Sequence, residues 1–243
     1  MPVLAVDHPI LSHKTAHLRE ASTPPREFRR LLHEITLHIG YEASKKLSTR
    51  PVTVTTPMGS ADAAHVADKV AIIPILRAGL GMSDAMLELM PNAAVHHIGM
   101  YRLKGSQMPV QYYNRLPKGC AADVAFVLDP LIASGTTICA TVSQLKKWGC
   151  PKVVVCTILA TSEGLANIEK EHPDVEVYCA EAGDSLGDDG MMHPGVGDAG
   201  DRQFGFGVGA EEHAAAAAAA AAKVSKKRAS GGSGSPKSKA KKK

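Results

Sequence analysis

The sequence predicts an α/β fold, a parallel sheet with helices on both faces, and three observations carry that reading. Short, mostly unbroken apolar runs recur at 70–76, 94–101, 123–129, 152–160 and 175–180, as strands buried on both faces require. Stretches with three- and four-residue apolar spacing lie between several of them, at 80–90, 135–148 and 163–171, the period of helices that cover such a sheet. Residues able to carry chemistry stand just after the first three runs: Arg77, Arg102 and Asp129. Parallel strands gather such positions at one sheet edge, where α/β proteins bind ligands.

The elements follow in order. Thr23-Pro24-Pro25 opens a helix that reaches about Leu47, with Phe28, Leu31, Leu32, Ile35, Ile39, Ala43 and Leu47 as one buried stripe. His33 and His38 are five apart, off the i, i+4 spacing of a helical metal pair, and read as surface or satisfied histidines. The first strand leads to Arg77 and the second to Arg102. From Leu103 to Arg115 the chain is polar and poorly periodic, which predicts a loop or hairpin placed to close over a ligand. The third strand leads to Asp129.

That third junction, Val124 to Thr141, is the most informative stretch. An apolar run ends in a carboxylate, turns through Pro130, Leu131, Ile132, Ala133, Ser134 and Gly135, and re-enters a helical pattern at Thr136 and Thr137. Small residues at a helix start present main-chain N–H groups, hydroxyls add donors, and the helix dipole favours negative charge, so the turn suits a phosphate. Asp129 is placed to hold vicinal sugar hydroxyls. The alternative is an ordinary strand–turn–helix crossover with Ser/Thr capping. A Walker loop is excluded, because no lysine follows Gly135 until Lys146. Arg77 and Arg102 read either as a forked clamp for a diphosphate or as strand-end ion-pair partners.

Gly195-Val-Gly-Asp-Ala-Gly200 matches G-x-G-x-x-G in form only. His193-Pro194 stands where a strand should precede it, and neither a helix nor a βαβ unit is expected after it, so it is not read as a dinucleotide fingerprint. Its glycines point instead to a close approach of main chain to a flat ligand, with Asp198 and Asp201 alongside.

Composition bounds the rest. Five cysteines without a C-x-x-C pair, and no leader at the amino terminus, read as small core residues in a reducing, cytoplasmic setting. No apolar run is long enough to span a membrane. The formal charge of +4 is uneven: nine of the 28 Lys and Arg lie from Lys223 onward with no acid among them, leaving 19 bases against 24 acids and a body at about −5. Residues 1–209 are expected to be the folded domain. Residues 210–243, alanine-rich and then Lys/Ser/Gly-rich, are expected to be a disordered solubilising tail. An RNA-binding regulator would carry its basic charge on the body, so no specific nucleic-acid partner is expected.

Taken together, Pro74-Ile-Leu-Arg-Ala-Gly-Leu-Gly-Met82, Gly99-Met-Tyr-Arg102, Asp129-Pro-Leu-Ile-Ala-Ser-Gly-Thr-Thr137 and Pro194-Gly-Val-Gly-Asp-Ala-Gly-Asp-Arg202-Gln-Phe-Gly205 resemble the uracil phosphoribosyltransferases over residues 6 to 206. The strand–Asp turn alone resembles the wider type I phosphoribosyltransferases; the Gly-Asp-Ala-Gly-Asp-Arg finish narrows the likeness. The resemblance implies a type I phosphoribosyltransferase sheet with a small carboxyl-terminal hood over the base. It implies that uracil and 5-phosphoribosyl 1-diphosphate give UMP and diphosphate with Mg²⁺, held mainly by substrate and not directly by protein. Asp129, Arg77 and Arg102 become the catalytic set. The phosphoribosyl substrate falls to Arg77, Arg102, Asp129, Pro130, Leu131, Ile132, Ala133, Ser134, Gly135, Thr136, Thr137 and Asp198. Uracil falls to the Met192 carbonyl and the main chain of Gly197, Asp198 and Ala199. A homodimer or homotetramer and a GTP effector are further implications. A catalytically silent regulator that binds uracil or UMP is the alternative, and it would be marked by loss of Asp129 or the arginines. The sequence departs from the family pattern at Met191, His193 and Phe206, the first two beside the base.

Overall fold

The computed structural model describes residues 3–102 and 109–205; Phe206 and the tail expected at 210–243 lie outside them. Strand β1 (Val3–Ala5), helices α1 (Pro9–Arg19) and α2 (Pro25–Ser44), and a hairpin of β2 (Thr49–Thr56) and β3 (Gly59–Val66) come first. Then follow β4 (Val70–Leu76), α3 (Leu80–Leu89), β5 (Ala94–Val95), β6 (Ile98–Arg102) and β7 (Pro109–Asn114). The second half holds β8 (Val124–Leu128), β9 (Leu131–Ile132), α4 (Thr136–Trp148), β10 (Lys152–Thr161), α5 (Ser162–Glu171), β11 (Glu176–Leu186), β12 (Met192–His193) and α6 (Ala199–Phe204).

The main sheet runs β1-β11-β10-β8-β4-β6-β7. Every pairing from β1 to β6 is parallel, and β7 closes the edge antiparallel to β6. Neighbouring residues of the central strands feed opposite cores. Ile72, Phe126 and Val154 pack on one face with α2 and α3 residues such as Ile35 and Met86. Ile73, Val127 and Val155 pack on the other with Val142, Leu145 and Ile168 of α4 and α5. Burying each such side chain stabilises the fold by about 1.5–3 kcal/mol, and the strands that deliver the site residues lie within both cores. Gly40 lets α2 meet α3, since a Cβ there would lie 2.5 Å from Met86 Sδ.

Several expectations need correction. The run at 94–101 is two strands. Ile72 accepts a hydrogen bond from His96 N at 2.9 Å, which turns the polar groups of Pro74 to the same side, and Pro74 has no N–H to return. The ladder resumes two residues on, at Ile75 and Ile98. Helix α2 stops at Ser44, although Leu47 still packs against the core. The strand expected at 175–180 continues to Leu186, beyond its apolar residues. The β2–β3 hairpin, β1 and α1 carry no strong periodicity and are additions.

Candidate active site

The carboxyl ends of β4, β8 and β10 meet at one edge of the sheet, beside β6 and the far part of β11. There they open a cavity of about 1170 Å³. Its lining includes Arg77, Asp129, Leu131, Ala133, Ser134, Thr137, Met192, Gly197, Asp198 and Ala199, so the expected residues from four separate stretches come together. The remaining turn residues are placed differently. Pro130 is buried and its carbonyl accepts from Ile158 N and Leu159 N. Ile132 points into the core. Gly135 caps α4, and Thr136 Oγ1 lies 3.0 Å from Ser134 Oγ. Arg102 closes β6, but its side chain is outside the described residues.

The turn after β8 is held from beneath. Gly135 sits at φ +77°, and a Cβ there would stand 2.5 Å from Gly164 O. Gly164 in turn leaves room for Ala133 O, 2.2 Å from where its own Cβ would be. Thr161 Oγ1 donates to Ala133 O at 2.6 Å, and Asn167 Nδ2 donates to Ser134 O at 3.1 Å. A trans peptide points its C=O and N–H in opposite directions. Capturing those two carbonyls therefore turns the N–H groups of Ser134 and Gly135 away from α5, beside the unpaired N–H groups of the first turn of α4. The result is a cradle of donors with a helix dipole behind it, facing the side on which Asp129 stands.

Arg77 follows β4 through a cis Leu76–Arg77 peptide, and its Nη2 donates to Asp201 Oδ1 at 2.6 Å while the side chain stays half exposed. The next turn lies against β8, because a Cβ on Gly79 would be 2.2 Å from Leu128 O. The stretch after Arg102 does form a hairpin, β6–β7; its tip at 103–108 is outside the described residues. Tyr101 and Tyr112 of that hairpin line the cavity with ring centroids 6.0 Å apart.

The glycine-rich finish differs from expectation in one respect: a six-residue helix, α6, does follow it. Asp198 is its cap, accepting from Asp201 N at 2.8 Å. The sequence hides this helix because six residues with Gly200 in second place show no full period. The strand before it is the two-residue β12, antiparallel to β11, so the dinucleotide reading is still excluded. Gly195 serves a close approach within the loop itself, since a Cβ there would lie 2.3 Å from Met192 O. Gly197 adopts φ +76°.

Two arginines brace this loop. Arg19 donates to Asp184 (2.7 and 3.0 Å), Glu181 (3.0 Å) and Gly195 O (3.2 Å), and Asp184 also accepts from Gly195 N. Arg202 reaches Val196 O at 3.1 Å and three carbonyls of the α1–α2 junction. Helix α6 is also joined to the turn that bears Arg77: Gln203 Nε2 donates to Ala78 O at 3.0 Å, next to the Arg77–Asp201 pair.

Sequence reading missed most of the far wall of the cavity, Leu186 to Gly190, which leads into Met191. Asp189 holds that wall's turn by accepting from Met191 N and His193 Nε2. These contacts, the Met191 amide first, draw its carboxyl below the ordinary range. The pairing of Gly187 with Gly190 around two aspartates was the available signal, a turn without periodicity.

Among the described residues no group of three His, Cys, Asp or Glu is placed to hold a metal ion, and no helix is long and apolar enough to cross a membrane. All five cysteines are free. Burial pushes the Cys139 and Cys156 thiols up to about 12 and the Cys150 and Cys179 thiols up to about 11. These four buried thiols serve as packing rather than as nucleophiles.

The mostly parallel sheet with helices on both faces, and the strand–Asp129–turn–helix junction at its carboxyl edge, are the architecture of the type I phosphoribosyltransferases. The solved structure of the AQ2163 protein from Aquifex aeolicus has the same architecture, with a TM-score of 0.81 and 30% identity over 85% of this chain and all of that one. A profile of the uracil phosphoribosyltransferase family matches residues 5–206. Uracil phosphoribosyltransferases of Roseiflexus sp. strain RS-1 and Thermus thermophilus are 42% and 45% identical to it. Each alignment covers 84% of this chain and 99% of the relative. The chain belongs to the uracil phosphoribosyltransferase family.

Proposed function

We infer that this chain transfers the phosphoribosyl group of 5-phosphoribosyl 1-diphosphate to N1 of uracil, forming UMP and diphosphate in pyrimidine salvage. The observation that carries the reading is the convergence of the Asp129 turn, Arg77 and the Gly197–Ala199 loop on one cavity within the matched family region. The turn from Ala133 to Thr137 would hold the 5′-phosphate on main-chain N–H groups. Asp129 would accept from the ribose hydroxyls. Arg77 and Arg102 would grip the diphosphate, Asp198 would touch the phosphoribosyl group, and Met192 O with the main chain of Gly197, Asp198 and Ala199 would take the base.

Breaking the C1–O bond leaves positive character on the ribose and negative charge on the departing diphosphate. The arginines would stabilise the latter, and alignment of uracil N1 with C1 would supply much of the remaining acceleration. No covalent nucleophile is required. Mg²⁺ bound with the diphosphate would neutralise part of its charge. A single strand-end carboxylate, Asp129, fits an ion held chiefly by substrate oxygens. Cytosine would present an amino group in place of O4 and would lack the N3 proton, leaving buried groups unpaired.

We take residues 1–209 as the catalytic domain and 210–243 as an accessory tail. Five free cysteines, four of them buried, suit a reducing compartment such as the cytoplasm. The even homo-oligomer and the GTP effector rest on the resemblance, and size-exclusion chromatography and rate measurements with and without GTP test both. For the reaction itself, incubation with uracil, 5-phosphoribosyl 1-diphosphate and Mg²⁺ should yield a product that co-elutes with UMP. Substrate consumption without UMP would contradict the assignment.

A further inference from the structure

Arg202 is spent in an unusual way. Its guanidinium is half buried and donates to four main-chain carbonyls: Leu18 O (2.8 Å), Glu20 O (2.6 Å), Thr23 O (3.4 Å) and Val196 O (3.1 Å). Its Cζ lies 4.4 Å from the centroid of the buried Phe28 ring. A charge placed against carbonyls and a ring, away from bulk water, is drawn down in pKa by that burial. A planar fork of five donors suits this arrangement, and an ammonium cannot reproduce it.

One of the four carbonyls matters for the base. The Val196–Gly197 peptide is trans, so holding Val196 O against Arg202 aims the Gly197 N–H in the opposite direction. Gly197 and its two successors line the cavity. Gly197 stands at φ +76° with open space around the position of a Cβ. Nothing in its own side chain or packing fixes the plane of that peptide, and a glycine is the residue most free to let it turn over. A turned peptide would offer the cavity a carbonyl acceptor where the present one offers an N–H donor.

We propose that Arg202 is a specificity-determining positioning residue, which fixes the polarity of the Val196–Gly197 peptide so that the site presents a donor to a carbonyl oxygen of the base. This rests on the reading of Gly197–Ala199 as the uracil loop. Arg202 does not touch substrate; it acts through the peptide, with the α1–α2 junction as its anchor. Its partner brace, Arg19, holds the preceding carbonyl, Gly195 O, by the same logic.

The test compares wild-type enzyme with Arg202→Lys, which keeps the charge and loses the fork. The readouts are KM for uracil, KM for 5-phosphoribosyl 1-diphosphate, and the ratio of the cytosine inhibition constant to the uracil KM. The expected result is a rise in uracil KM of about fivefold or more, the scale of one lost hydrogen bond. The cytosine-to-uracil ratio should fall by a similar factor, with KM for the phosphoribosyl donor within about twofold of wild type. Unchanged uracil KM and unchanged ratio in a folded variant overturn the proposal, as does a parallel rise in both KM values. If Arg202→Lys does not fold, Gly197→Ala perturbs the same peptide through its positive φ without a clash. It should show the same base-selective loss; an unchanged uracil KM or equal losses for both substrates overturn the proposal. Wild-type enzyme that forms no UMP removes the underlying functional reading, whereas active wild type matched by its variants removes only the role of Arg202.

Discussion

The two halves of the cavity, proposed above for phosphate and for base, are built with different parts. In both, side chains capture main-chain carbonyls from behind, which turns the following N–H groups the other way. In the phosphate half the captors are Thr161 and Asn167, 28 and 33 residues from the carbonyls they hold and carried on the strand and helix next door. In the base half the carbonyl captors are Arg19 and Arg202, and each contact spanning the loop and the amino-terminal helices bridges more than 160 residues. The difference teaches where each half gets its rigidity. The first inherits it from the sheet core; the second depends on long side chains tying the hood to α1 and α2. Changes in the sheet-borne half should impair use of the phosphoribosyl donor, and changes in the arginines that brace the other half should cost base discrimination.

Asp129→Asn should have the largest effect. A carboxylate at the end of β8 becomes an amide of the same shape, so kcat/KM should fall by about tenfold or more with an unchanged melting temperature. Near-wild-type turnover would remove its assigned role. Gly135→Ala comes next, because the new Cβ meets Gly164 O at 2.5 Å in a left-handed backbone. KM for 5-phosphoribosyl 1-diphosphate should rise by about tenfold and Tm should fall, with KM for uracil little changed. A parallel rise in both KM values would show that the two halves are not separable.

That contrast also explains what the sequence disclosed. Strands β4, β8 and β10 were legible because both their faces are buried and their apolar runs are continuous. The Asp129 turn was legible because it lies between such a strand and a full-length amphipathic helix. The split of β5 from β6 was not, since it turns on one missing N–H at Pro74. The β2–β3 hairpin escaped because no stretch of it faces a core: β3 is exposed throughout. The hood was known only through resemblance. Residues 186–191 form a wall of the cavity in the turn that follows β11, which itself runs past its apolar segment, and the roles of Asp184, Asp201 and Arg202 exist only once distant segments meet. Local patterns record strands and caps; they do not record a carbonyl held by an arginine from the other end of the chain.

Smaller effects sharpen the comparison. Asp201→Asn removes the carboxylate that holds Arg77 at 2.6 Å, and should raise KM for the phosphoribosyl donor by about fivefold, the scale of one charge-assisted hydrogen bond. A reduced KM would mean that Asp201 restrains Arg77 instead of orienting it. Asn167→Ala removes one neutral contact to Ser134 O and should raise the same KM by about threefold, leaving cytosine discrimination untouched. Deleting residues 223–243 should leave uracil turnover unchanged, and a large loss would give the tail a part in the reaction.

In the proposed reaction one cavity would join a ribose-5-phosphate cradle to a main-chain reader of uracil. Diphosphate release measured in parallel with uracil, cytosine, hypoxanthine and orotate, each with 5-phosphoribosyl 1-diphosphate and Mg²⁺, tests it most directly. Release with uracil should be at least about a hundredfold faster than with any other base. No release with any base, or faster release with one of the other three, would contradict it.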